Sequence, residues 1–142
     1  MNEHIVDRAL RLLLSHDMEG FSDLWAPDGV IEFPFAAVGY PSRIVGREAI
    51  RQYMSGYSDI LDVRELTSKT IHATADPDVT VAEFELAGIA PKTGKPYSMR
   101  YVAIITTDGS QIRNYRDYWS PLAAAEAIGT TSELTAFGGG AA

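Results

Sequence analysis

Apolar residues recur every three to four positions over residues 3–15, where Ile5, Ala9, Leu12 and Leu13 share a face and Val6 and Leu10 lie beside them. That period predicts an amphipathic helix. Asp17 can cap a second, short helix whose buried face carries Phe21, Leu24 and Trp25, with Pro27-Asp28-Gly29 ending it. Residues 30–35 are apolar and β-branched or aromatic, which predicts a strand, and a Gly- and Pro-rich loop follows over residues 36–46. Residues 47–60 return to helical spacing, with Ala49, Ile50, Tyr53, Met54 and Tyr57 on the inner side.

The second half of the chain has a different rhythm. Residues 63–73, 80–89, 97–107 and 111–119 read as strands, separated by Asp76-Pro77-Asp78, by Pro91-Lys92-Thr93-Gly94 and by Asp108-Gly109. Long strands joined by short turns predict an antiparallel meander. Residues 123–128 suit a short closing helix. Helices that precede a curved sheet, each with an apolar face to bury, point to an α+β fold. The expectation is a cone-shaped barrel of curved antiparallel or mixed sheet packed on three N-terminal helices. It forms one domain over residues 1–129, followed by a tail, 130–142, expected to be flexible.

Alternation along the last strand raises a chemical question. Arg113, Tyr115, Asp117 and Trp119 fall on one face, and Asn114, Arg116 and Tyr118 on the other. Asp117 therefore shares its side with two large aromatics. If that face looks inward, the carboxyl sits in an apolar wall, where desolvation raises its pKa and lets it hold or give a proton.

Composition narrows the field. The 142 residues carry 12 basic and 19 acidic side chains, a net charge of −7, which argues against nucleic acid or an anionic membrane as partner. No cysteine is present, so disulfides and thiolate chemistry are excluded. No apolar run approaches the length of a bilayer span and the N-terminus lacks the pattern of a signal peptide, so a cytoplasmic location is expected. The histidines, His4, His16 and His72, are dispersed, with no metal-binding spacing, and no glycine motif for a nucleotide is found. Neither a metal nor another cofactor is expected.

Stretches in order along the chain carry a resemblance: F-S-D-L-W-A-P-D-G-V-I-E-F-P-F at residues 21–35, G-R-E-A-I at 46–50, T-G-K-P-Y at 93–97 and Y-R-D-Y-W-S-P-L at 115–122. Together they resemble the nuclear-transport-factor-2-like superfamily in its SnoaL-like, ketosteroid-isomerase-like branch, and in motif the phenazine-biosynthesis A/B proteins above all. The resemblance implies a pocket between sheet and helices, and a homodimer. It also implies that Asp117 occupies the position of the pocket acid of epoxide hydrolases and of the general acid of phenazine proteins.

The chain also departs from each relative. Phe84 and Leu86 stand where the epoxide hydrolases carry an Arg-x-Asp pair. Phe33 stands where the isomerase has its base, with Glu32 one residue earlier. Leu12-Leu13-Leu14 replaces the isomerase's oxyanion tyrosine, and Tyr53 falls near the phenazine proteins' helical histidine.

The candidate catalytic residues are accordingly Asp117, Glu32 and Tyr53. Glu32 is either a second pocket carboxylate or a solvated residue of the outer face. Trp25, Phe33, Met54, Tyr57, Phe84, Leu86, Tyr101, Tyr115 and Trp119 are expected to line an apolar pocket for a small hydrophobic molecule, or simply to fill the core. Glu83 and Glu85, which alternate with inward Phe84 and Leu86, should face outward. The functional expectation is acid–base catalysis on a small hydrophobic carbonyl compound: isomerisation, cyclisation or condensation. The alternatives are a non-catalytic binding protein and a dimeric interaction module of the same fold.

Overall fold

The computed structural model describes residues 3–36 and 38–128; the expected flexible tail, 130–142, lies outside them. Helix α1 (Ile5–Leu14) starts where the His4 ring accepts the Val6 amide and buries Val6, Ala9, Leu10 and Leu13. Helix α2 (Met18–Ser22) is capped by the Asp17 carboxylate, which accepts the Gly20 amide at 2.8 Å. Strand β1 (Trp25–Glu32) follows, then β2 (Arg43–Val45), α3 (Arg47–Met54) and α4 (Tyr57–Ile60). The long strands β3 (Asp62–Ala73), β4 (Val79–Ala90), β5 (Lys95–Asp108) and β6 (Gln111–Trp119) precede a last helix, α5 (Pro121–Ile128).

All six strands join one sheet in the order β2-β1-β6-β5-β4-β3. β3 to β6 form the expected antiparallel meander, whereas β1 pairs with β6 in parallel, so the sheet is mixed. β2 and β3 remain as its two edges, so the sheet is not closed on itself, and with the helices it makes the expected α+β cone of mixed sheet. Register shifts in β3, in β1 and between β5 and β6 mark the irregular points at which such a sheet bends.

Three local expectations differ from the structure. Trp25 begins β1 instead of ending α2, and Phe33 and Phe35 lie past the strand. The reason is pairing: Trp25 aligns with Ile112 of β6, and the chain bulges before Val30 rejoins beside Asn114. Gly29 makes this possible, because a Cβ there would lie 2.8 Å from the Ile112 carbonyl oxygen. Second, the expected loop contains β2, which pairs Val30 with Val45 and Glu32 with Arg43. Third, the helix expected over residues 47–60 breaks at Ser55-Gly56, where the Ser55 hydroxyl donates to the Gln52 carbonyl at 2.7 Å and competes with the helical pattern. The break re-aims Tyr57.

The core lies between the helices and one face of the sheet. Alternation places Ala82, Phe84 and Leu86 of β4 and Met99, Tyr101, Ala103 and Ile105 of β5 on that face, all buried. Arg51 of α3 ties the helical layer together, reaching the Asp23 carboxylate at 2.6 Å and the Glu48 carboxylate at 3.1 Å.

Candidate functional site

The register between β5 and β6 sets Tyr101 opposite Trp119, Ala103 opposite Asp117 and Ile105 opposite Tyr115. On the next strand Phe84 aligns with Tyr101 and Ala82 with Ala103. The rows on either side of Asp117 are thus filled by large rings and by Ile105, while its own row holds two alanines. A cavity of about 80 Å³ opens on this face, bounded on the sheet side by Asp117 and the larger side chains around it, enough space for more than a single water molecule.

Its walls come from nearly every element. β4 supplies Phe84 and Leu86, β5 supplies Met99 and Tyr101, β6 supplies Tyr115, Asp117 and Trp119, and Phe33 follows β1. The helices contribute Tyr53 and Met54 from α3, Tyr57 from α4 and Ala124 from α5. Phe84 and Tyr101 stack with ring centroids 5.2 Å apart, and Phe33 and Tyr53 meet at 5.4 Å.

Among the described residues, Asp117 is the one carboxylate in this lining. The residue keeps a partly open edge, but its Oδ1 is shielded from solvent and meets no hydrogen-bond donor. Desolvation pushes its pKa up to about 7. Phenols surround it. Burial pushes Tyr53 and Tyr57 up to about 12 and raises Tyr101 and Tyr115 well above the usual phenol value, each with a smaller contribution from the negative charge of Asp117. Tyr57 and Tyr101 are hydrogen-bonded to each other. At neutral pH every phenol therefore stays protonated and able to donate, while the carboxyl divides between its two forms.

Two expected site residues are elsewhere. Glu32 does not reach the cavity: it is half-buried, pairs with Arg43 of β2 at 3.8 Å, and aligns with Arg116, whose side belongs to the opposite face. No bulge lies between Val30 and Glu32 to restore it inward. Trp25 is fully buried behind the wall, against Phe21 and Tyr115, and donates its indole N–H to the Val30 carbonyl at 3.1 Å. It supports the lining without belonging to it. Glu83 and Glu85 point away, to His72 at 2.6 Å and to Thr67 at 2.7 Å. His72 is thus an exposed partner of Glu83, and His16 contacts the Val63 carbonyl.

The sequence pattern left out Leu13, Phe21, Ile31, Leu61, Met99 and Ala124 as lining residues. Period-two counting from Phe33 and Tyr101 reaches Ile31 and Met99. Leu61, where the chain leaves α4 for β3, gave no such signal.

Relatives share this frame over nearly its whole length. A PhzA/B-like protein of Pseudomonas aeruginosa, itself uncharacterized, is 39% identical over 127 residues, 89% of each chain. The uncharacterized protein YesE of Bacillus subtilis is 38% identical over 117 residues, 82% of this chain and 80% of its own. A crystal structure of a Bacillus subtilis protein provisionally described as an isomerase superposes with a TM-score of 0.82 at 35% identity, covering 89% of this chain and 96% of that one. The SnoaL-like domain profile matches residues 6–126, and the chain belongs to the SnoaL-like family.

Proposed function

We propose that the protein is an acid–base enzyme needing no cofactor, acting on a small hydrophobic carbonyl compound held in the cavity. The observation that carries this reading is Asp117: a lone, desolvated carboxyl held near neutrality and ringed by protonated phenols. A group with a pKa near the working pH is suited to take a proton and to return it. In its ionised form Asp117 removes a proton from the carbon next to the carbonyl. The electron pair moves into a carbon–carbon double bond, and the carbonyl oxygen gains negative charge. A phenol donates a hydrogen bond to that oxygen. Tyr53, the Tyr57–Tyr101 pair and Tyr115 are the phenols that line the cavity. The protonated Asp117 then delivers the proton to a second carbon, completing an isomerisation, or to the oxygen formed when the enolate closes a ring. One carboxyl serves both half-reactions, so the displacement of Glu32 to the outer face leaves the scheme intact.

The test is exchange of α-protons for deuterium in a panel of small cyclic ketones, followed by NMR. The wild-type protein should accelerate exchange with a rate that rises through pH 7, and Asp117→Asn should lose the acceleration. Undiminished exchange in that variant refutes the role.

A second reading is binding without turnover, supported by a lining that is apolar apart from Asp117 and the phenols. Tight capture of a ketone with no exchange would select it. A homodimer through the outer sheet face is part of the same proposal. Phe35, Val45 and Val102 are 60%, 54% and 36% exposed, and light scattering measures the association directly.

A further inference from the structure

The chemistry of the cavity wall also limits the charge of what can enter. Among the described residues, no lysine, arginine or histidine lines the cavity; its ionisable groups are Asp117 and phenols. The basic groups near β6 are turned elsewhere. Arg116 lies on the opposite face beside Glu32, and Arg113 pairs with Asp108 at 3.5 Å. Arg116 is also the last basic residue of the sequence, so residues 117–142 hold no cation that could be brought to the site.

We infer that the cavity sorts ligands by charge, accepting uncharged and ammonium-bearing ring compounds and rejecting those that carry a carboxylate or phosphate. This deepens the proposed function by naming the substrate class of the same site, and it rests on that site being the binding site. An anion entering would lose its hydration with no cation to replace it, and it would face the Asp117 carboxylate and the oxygen lone pairs of Tyr53, Tyr57, Tyr101 and Tyr115. A neutral ketone meets apolar walls and phenolic donors. An ammonium ion meets a carboxylate with no competing cation and a wall that includes the aromatic rings of Phe33, Phe84 and Trp119.

The titratable groups that face Asp117 are Tyr53 on α3, Tyr57 on α4, Tyr101 on β5 and Tyr115 on β6. All stay neutral below pH 9 or so, since burial moves each above the usual phenol value near 10. Only the carboxyl titrates between pH 5 and 8. Ammonium binding should therefore strengthen over that interval, while ketone binding should stay level.

The experiment uses three probes of matched shape, cyclohexanone, cyclohexylammonium and cyclohexanecarboxylate, titrated into the full chain at pH 5 and pH 8 with cavity resonances followed by NMR. At pH 8 the ketone and the ammonium ion should each bind at least about tenfold more tightly than the carboxylate. Lowering the pH to 5, or Asp117→Asn at pH 8, should weaken the ammonium ion by about tenfold or more and leave the ketone within about threefold. Met99→Lys, which adds a cation to the wall, should admit the carboxylate. Binding of cyclohexanecarboxylate at pH 8 as tightly as the ketone, with shifts in the cavity, overturns the inference, as does failure of all three to bind there. Loss of the acid–base role is seen separately: unchanged α-proton exchange in Asp117→Asn rejects that role and leaves the binding order standing.

Discussion

Asp117 and Glu32 sit on adjoining parts of one sheet, yet their surroundings are opposite. Asp117 projects toward the helices, beside two alanine positions and among phenols, and its Oδ1 meets no donor. Glu32 projects to the other side, where Arg43 lies across the edge pair at 3.8 Å. The difference follows from side-chain parity, because neighbouring positions in a strand face opposite ways. Phe33 takes the inward place, and Glu32, one residue earlier, cannot share it. A carboxylate with a cation nearby and solvent at hand is an ordinary surface group. A carboxylate deprived of both becomes an acid able to exchange protons near pH 7. The same side chain chemistry thus yields an ion-paired carboxylate on one face and a desolvated carboxyl on the other.

The largest expected effect that tests this contrast is on proton transfer. Asp117→Asn should lower α-proton exchange by about 10²–10⁴-fold, whereas Glu32→Gln should leave it within about twofold; rates from deuterium incorporation decide. An equal loss in both variants would remove the distinction between the faces.

Truncation of the two faces should differ in stability. Leu86, 1% exposed in the cavity wall, should cost about 2–5 kcal/mol on conversion to alanine. Val102 on the outer face should cost about 0.5 kcal/mol or less in the monomer. Urea denaturation monitored by fluorescence measures both.

Stability should also respond to pH in a defined direction. Asp117 has a folded pKa of about 7, raised above the unfolded value near 4. Between those values the folded chain holds a proton that the unfolded chain has released, so stability declines as pH rises from about 4 to 7 and is lower above that range. Asp117→Asn removes this penalty. The variant should gain on the order of 3 kcal/mol over wild type at pH 8, with the gain fading below pH 4. Melting curves at both pH values would show the gain disappear, and a constant difference would contradict it. The smallest effect is expected at the exposed pair, where Glu32→Gln should change stability by less than about 1 kcal/mol at any pH.

The sequence carried the architecture far. The period of α1, the turn signals between β3, β4, β5 and β6, and the alternation of Glu83-Phe84-Glu85-Leu86 each report local geometry that the backbone enforces over a few residues. The same alternation puts Asp117 on the side of Tyr115 and Trp119. What it could not show was how separate segments meet. The bulge that recruits Trp25 into β1, the short strand β2 and the break after Met54 depend on partners distant in sequence: Ile112, Val30 with Glu32, and the packing that turns Tyr57 inward.

By itself, then, the order of residues determined which elements form, which face of each is apolar, and which acid lies among aromatics, because these follow from periods of 2 and 3.6 along a single segment. Only the tertiary structure decided that Glu32 turns outward, that Trp25 stands behind the wall, and that residues of β4, β5, β6 and the helices converge around Asp117 to leave a hollow. Those outcomes are set by register between strands, where a shift of one residue exchanges inside for outside.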